Sequence, residues 1–129
     1  MQKAALTSAI MATFLFLGCT HALAGPWEDG MVAYNRGDYV PAIRLFRPLA
    51  EAGNPRTQTQ IGTMYRKGEG LAPRPSRAFM WFSLAAKRGD AKARASLREV
   101  ARTMTPAEMS QAEAMAGACA ASNYRACEY

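Results

Sequence analysis

Identities recur along this chain at a spacing of 36 residues: Ala42, Phe46, Ala50 and Gly53 return as Ala78, Phe82, Ala86 and Gly89. At the same offset Leu45 is matched by Trp81, Leu49 by Ala85 and Ile61 by Leu97. A fixed period of this size constrains the fold more than any other feature. It marks supersecondary units that cannot bury their apolar faces alone and must stack. Such stacks usually present a surface rather than house a reaction. The register therefore points to binding and leaves the partner unnamed.

The units read as helical. Alternating β-branched runs are missing, and apolar residues fall at spacings of three and four. Tyr39, Ala42, Ile43, Phe46, Leu49 and Ala50 make one stripe. Gly53-Asn54-Pro55 ends that helix and opens the next. Ile61, Met64 and Tyr65 mark a second helix, expected to be shorter and more polar. Two glycines and two prolines between Lys67 and Pro75 predict a loop. The cycle repeats with Ala78, Trp81, Phe82, Ala85 and Ala86, a turn at Gly89-Asp90, and then Ala93, Leu97, Val100, Ala101 and Met104. Trp27 to Arg36 predicts a short flanking helix closed by Gly37. At the other end Thr105-Pro106-Ala107-Glu108 is a capped helix start, followed by the stripe Met109, Ala112, Ala116 and Cys119. The expectation is an all-α short solenoid of about six helices.

Residues 1–24 read as a secretory leader. Lys3 is the positive start, Ala4 to Leu17 is small or apolar, and Ala22-Leu23-Ala24 fits a cleavage site. The apolar run is too short for a comfortable membrane span. Cleavage would start the mature chain at Gly25 and place it in the periplasm or outside the cell. A rival reading makes Cys19 a lipid-anchored first residue, but Phe16-Leu17-Gly18 matches that signal poorly. Residues 25–129 then form one domain. Loss of the leader removes Lys3 and leaves 15 basic against 10 acidic residues, a net charge of +5. It also removes His21, the only histidine. Ser-His and Cys-His nucleophiles and imidazole-bound zinc go with it. Two cysteines remain, Cys119 and Cys127, and an even count in an exported chain favours a disulfide.

The pattern from Ala42 to Ala93 resembles the Sel1-like repeat family, a relative of the tetratricopeptide repeats. The likeness rests on Ala42-x-x-Leu45-Phe46-x-x-Leu49-Ala50-x-x-Gly53, on Ile61-Gly62-x-x-Tyr65-x-x-Gly68-x-Gly70-Leu71, and on Ala78-x-x-Trp81-Phe82-x-x-Ala85-Ala86-x-x-Gly89-x-x-x-Ala93. It implies repeats at about 38–73 and 74–104 with a capping helix at about 105–121. Cysteine-rich members of the family place a cysteine pair at the spacing of Cys119 and Cys127, across a turn between two helices. Three departures stand out. Arg74 occupies a loop position where the family commonly has aspartate. Arg98 stands in register with Gly62, and Ala101 with Tyr65. A third unit is therefore not expected to dock there in the usual way.

The resemblance also implies that the first helix of each unit lines a groove. The candidate contacts are then Arg44, Arg47 and Glu51 in one unit and Met80, Ser83 and Lys87 in the next. The register of Phe46, Tyr65, Trp81 and Phe82 makes these aromatics core rather than cleft. A second candidate surface is the basic stretch from Arg74 to Arg102, where Arg94, Arg98 and Arg102 share one helical face. It reads as a solvated face or as a site for an anionic lipid, glycan or acidic protein. An exported chain without a recognition motif is not expected to bind nucleic acid. Some cysteine-rich relatives are associated with β-lactam binding or hydrolysis. Here Ser83 and Lys87 are four apart and form no Ser-x-x-Lys motif. No catalysis, cofactor or metal is expected; the partner is another protein.

Overall fold

The structure, a computed structural model, describes residues 24–127. The leader expected over 1–24, with Cys19 and His21, lies outside the described residues except for Ala24. Six helices follow in order: α1 (Pro26–Asn35), α2 (Tyr39–Glu51), α3 (Pro55–Lys67), α4 (Pro75–Lys87), α5 (Ala91–Ala101) and α6 (Pro106–Ala121). The described residues contain no strand, and none of their helices is long and apolar enough to cross a membrane.

The 36-residue register is built into the backbone. Both ends of α2 recur in α4 at that offset, as does the start of α3 in α5. The turns between the helices repeat in atomic detail. At Gly53 (φ +83°) and Gly89 (φ +94°) the chain enters the left-handed region, which glycine tolerates best. The amides of Gly53 and Gly89 donate to Ala50 and Ala86, and the next amides reach back to Leu49 and Ala85. Asn54 and Asp90 then cap the following helices, accepting from the amides of Thr57 (3.1 Å) and Ala93 (2.7 Å). The predicted capping box of α6 is present. Thr105 Oγ1 accepts from the Glu108 amide at 3.2 Å, and a Glu108 carboxylate oxygen accepts from the Thr105 amide at 2.7 Å.

Helix α1 packs on α2, α3 on α4, and α4 also on α5 and α6. Phe46, Tyr65, Trp81 and Phe82 are all buried, as expected from their register. Two glycines set the closest approaches. A side chain at Gly30 of α1 would run into the Phe46 ring, and one at Gly62 of α3 into the Phe82 ring. Phe46 and Phe82 are register equivalents, so the same glycine-on-phenylalanine contact joins α1 to α2 and α3 to α4. Of the alanines in the pattern, Ala50 and Ala85 are fully buried while Ala86 is only half-buried.

Helix α3 differs from its expectation. It matches α2 in length, and its polar residues are buried rather than solvated: Thr57, Gln58, Thr59, Gln60 and Thr63 all lie inside. Flanking helices cover it on several sides, and its polar groups are only partly served: Thr57 Oγ1, Gln58 Oε1 and Gln60 Nε2 find no hydrogen-bond partner among the described residues. Thr59 Oγ1 donates to the Pro55 carbonyl (2.9 Å) and Thr63 Oγ1 to the Thr59 carbonyl (3.0 Å). Gln58 Nε2 donates to the Ala50 carbonyl at 3.1 Å and fastens α3 to the end of α2.

The end of the stack is irregular where the register fails. Helix α6 packs on α4 and barely touches α5, its neighbour in sequence. The α5 positions that would receive a following helix carry Arg98, which is exposed, and Ala101, too small to fill the space of a tyrosine. Cys119 and Cys127 form a disulfide with their Cα atoms 4.7 Å apart, both side chains buried. A partner helix for Cys127, implied by the resemblance, is not formed. Residues 122–126 make turns, with Asn123 (φ +55°) and Tyr124 (φ +63°) in the left-handed region. The Ser122 hydroxyl donates to the Cys119 carbonyl and accepts from the Ala126 amide, both at 2.8 Å.

On the other flank, the Tyr34 hydroxyl of α1 donates to a Glu69 carboxylate oxygen at 2.6 Å. Burial, and then the bond to Glu69, push the Tyr34 phenol up from 10.0 to about 12. A group raised on folding stabilises the fold fully below its unfolded pKa and loses that contribution as pH climbs through the folded one. Stability from this contact therefore falls between about pH 10 and pH 12. Ultraviolet titration near the phenolate band should find a late-ionising tyrosine, and Glu69→Gln should bring it forward. An unshifted titration in that variant would remove Glu69 as a cause.

Candidate binding groove

Helix α2 offers an open outer face. Arg44, Arg47 and Glu51 are exposed along it, and Val40 is the most exposed large apolar residue described, at 55%. These residues, with Ile43 of α2 and Leu71 of the loop after α3, line a cleft of about 400 Å³. The loop is held close to α2 because Gly70 (φ +71°) lies against the Cβ of Tyr39 and the Ile43 side chain. The first three candidate contacts are thus brought together at one cleft.

Their register equivalents on α4 are not. Met80 and Ser83 are buried, so the expected contact face of the second unit is closed. Helix α6 has packed against α4, and only Lys87 at the helix end stays exposed. A second cleft of about 360 Å³ remains beside this contact, lined by Arg74, Arg77, Met80, Gln111 and Met115 among others.

Tyr65 lies on α3, which packs against both α2 and α4. The residue is 2% exposed, and its hydroxyl has no hydrogen-bond partner among the described residues. Leaving such a group unpaired costs roughly 1–3 kcal/mol. Burial pushes the Tyr65 phenol up, while the positive charges of Arg77, Arg47 and Arg74 pull the other way. Arg47 comes from α2, and Arg74 and Arg77 from the start of α4. The Arg74 amide also donates to the Tyr65 carbonyl at 3.3 Å, which ties the entry of α4 to this residue. Sequence reasoning had assigned Tyr65 to the core and missed its hydroxyl. The available signal was Arg74, a basic residue where the resembling family has an acidic one.

The basic stretch from Arg74 to Arg102 is divided by the fold. Arg74 and Arg77, at the start of α4, line the cleft beside Met80. Arg88 donates to the Tyr124 hydroxyl at 2.7 Å and covers its ring. Arg94 and Arg98 of α5 and Arg102 just after it are exposed and make no ion pair with a described residue. Nearby Glu99 pairs instead with Arg66 of α3 at 2.7 Å. No group of three or more His, Cys, Asp or Glu residues gathers as a metal site among the described residues.

Comparison with protein-family models, with curated proteins and with solved structures found no match for this chain.

Proposed function

We propose that this chain is an exported Sel1-like repeat protein that binds another protein through its helical groove and carries out no catalysis. The observation that carries the reading is the open face of α2, where Arg44, Arg47 and Glu51 flank an apolar floor of Val40, Ile43 and Leu71. Apolar floor and charged rim are the anatomy of a protein contact. The recurrence of helix ends and caps at the 36-residue register supports a stacked-repeat origin. Against an enzyme stand the lack of histidine after His21 and the burial of Ser83 while Lys87 is exposed. The β-lactam reading is the weakest for that reason.

A second reading has its own support: Arg94, Arg98 and Arg102 form an exposed, unpaired row suited to an anionic lipid or glycan of the cell envelope. Salt separates the two, because exposed ionic contacts are screened within about 10 Å at 0.1 M salt. A photo-crosslinking residue placed at Arg44 should give a protein adduct in the envelope that persists at high salt and disappears with Val40→Asp. Adducts formed only from position 98, and lost as salt rises, would replace the groove reading with the polyanion one.

A further inference from the structure

We infer that the open face of α2 is the seat of a partner's amphipathic helix, one that carries an acidic and a basic side chain two turns apart beside an apolar stripe. This rests on the groove reading and names the partner's chemistry. The first support is internal to the chain. At the 36-residue offset Val40 and Arg44 correspond to Ser76 and Met80, and Gly70 and Leu71 to Pro106 and Ala107, the first turn of α6. In the second unit the chain runs on from that turn as α6, against α4, and Met80 shares a cleft with Gln111, Met115 and Ala118 of α6. In the first unit the chain after Leu71 leads into α4 instead, which packs on α3 and barely touches α2. Met80 is buried, whereas its counterpart Arg44 is exposed. The face of α2 that matches the covered face of α4 thus stays open, and the second unit shows that a helix fits there. The second support is shape. Val40, Ile43, Arg44, Pro48 and Glu51 follow one side of α2, so their cleft runs along that helix for about 16 Å. Gly70 and Leu71 form its other wall. An apolar trough of this kind accepts the i, i+3, i+4, i+7 stripe of an amphipathic helix. The third support is charge. Arg44 and Glu51 are exposed, and neither makes an ion pair with a described residue. Their separation in sequence puts them about 10 Å apart along the axis. A helix with a carboxylate and an ammonium at that spacing complements both, whereas a polyanion meets Glu51 with like charge.

The test uses the full mature chain and an alanine-based peptide of about sixteen residues, with a leucine stripe and with glutamate and lysine two turns apart beside it. Three relatives of this probe accompany it: one with lysine at both charged positions, one with glutamine at both, and one with a central proline that breaks the helix. Binding is followed through backbone amide and methyl resonances of the protein. The Glu/Lys helix should shift the signals of Val40, Ile43 and Leu71. It should bind at least tenfold more tightly than the proline peptide and about threefold more tightly than the glutamine one. Arg44→Glu, at an exposed position, should leave the melting temperature unchanged, weaken the Glu/Lys helix about fivefold and reverse the ranking in favour of the Lys/Lys helix. Equal binding of the helical and proline-broken peptides in the cleft would overturn the helix and leave the groove reading intact. A ranking that Arg44→Glu does not change would overturn the charge pairing. No shift at Val40, Ile43 or Leu71 with any peptide, while a crosslinker placed at Arg44 still captures an envelope protein, would overturn this inference alone. Failure of both would remove the groove as well. Self-association of the chain that shields the same residues as concentration rises would overturn it in favour of a second copy.

Discussion

Replacing Gly62 by leucine should unfold this domain at markedly lower temperature, and replacing it by alanine should already be destabilising. A Cβ at this position would lie 2.8 Å from two carbon atoms of the Phe82 ring, closer than side-chain carbons approach one another. Phe82 is fully buried and has no open space to swing into. Two effects compete in Gly62→Ala. Alanine favours a helix interior over glycine by about 1 kcal/mol. Overpacking a well-filled core costs roughly 1–3 kcal/mol, occasionally more. The steric term prevails because the obstacle is a locked aromatic ring rather than a flexible chain end. Gly62→Leu adds further bulk and should reach the top of that range. Gly117 supplies the control: it lies within α6, and a Cβ there would meet nothing within 4 Å. Gly117→Ala should therefore stabilise, by about 0.5–1 kcal/mol. Thermal melts of the three variants decide the matter. A neutral or stabilising Gly62→Leu would mean that α3 and α4 are not packed as described.

The two glycine–phenylalanine contacts explain why the period was so legible. A repeat writes its packing into sequence where a residue type is forced, and Phe46 with Phe82, Ala42 with Ala78, and Gly53 with Gly89 are forced positions. Helix ends followed from the same residues, since glycine exits and Asn or Asp caps are local chemistry. The burial of α3 was not legible. Thr57, Gln58, Thr59 and Gln60 fall outside the apolar marks of a helix expected to be shorter and more polar, and only the number of neighbouring helices makes them interior. Threonine hydroxyls that bond back within their own helix leave no mark in the hydrophobic pattern.

The groove was half legible, for a related reason. Arg44, Arg47 and Glu51 were found because they fall off the apolar stripe of a helix whose outer face stays open. Met80 and Ser83 share that off-stripe register and are nevertheless buried, because α6 lies on α4 rather than on α5. The pattern breaks at Arg98 and Ala101 announced that a regular third unit was missing. They did not say where the last helix would go instead. The consequence for function is that only the α2 half of the expected groove is free. The surface left open is that half and the cleft beside Met80, which Arg74 and Arg77 line.

The placement of α6 makes the disulfide the other large lever on the fold. Joining Cys119 to Cys127 closes a short loop, and restricting such a loop in the unfolded chain stabilises by roughly 2–3 kcal/mol in the entropy model. The native geometry imposes a second dependence. The tail after α6 returns through two left-handed residues, Asn123 and Tyr124, which only glycine adopts without cost. Its other anchors include the Ser122 hydrogen bonds, the Tyr124 amide donating to the Cys119 carbonyl, and the contact of Arg88 with Tyr124. Removing the covalent link in a Cys119→Ala, Cys127→Ala double variant should therefore lower stability by about 2–3 kcal/mol. Alanine is chosen because both positions are buried and a serine would add an unpaired hydroxyl. Hydrogen exchange should accelerate first in residues 122–127 and then along α6, while α2 and α3 keep their protection. Because Ala126 lines the α4–α6 cleft, the signals of Arg74 and Arg77 should shift as well. If the oxidised protein and the double variant melt together, the tail is held by its hydrogen bonds alone. The disulfide would then add nothing measurable to the stability of the fold.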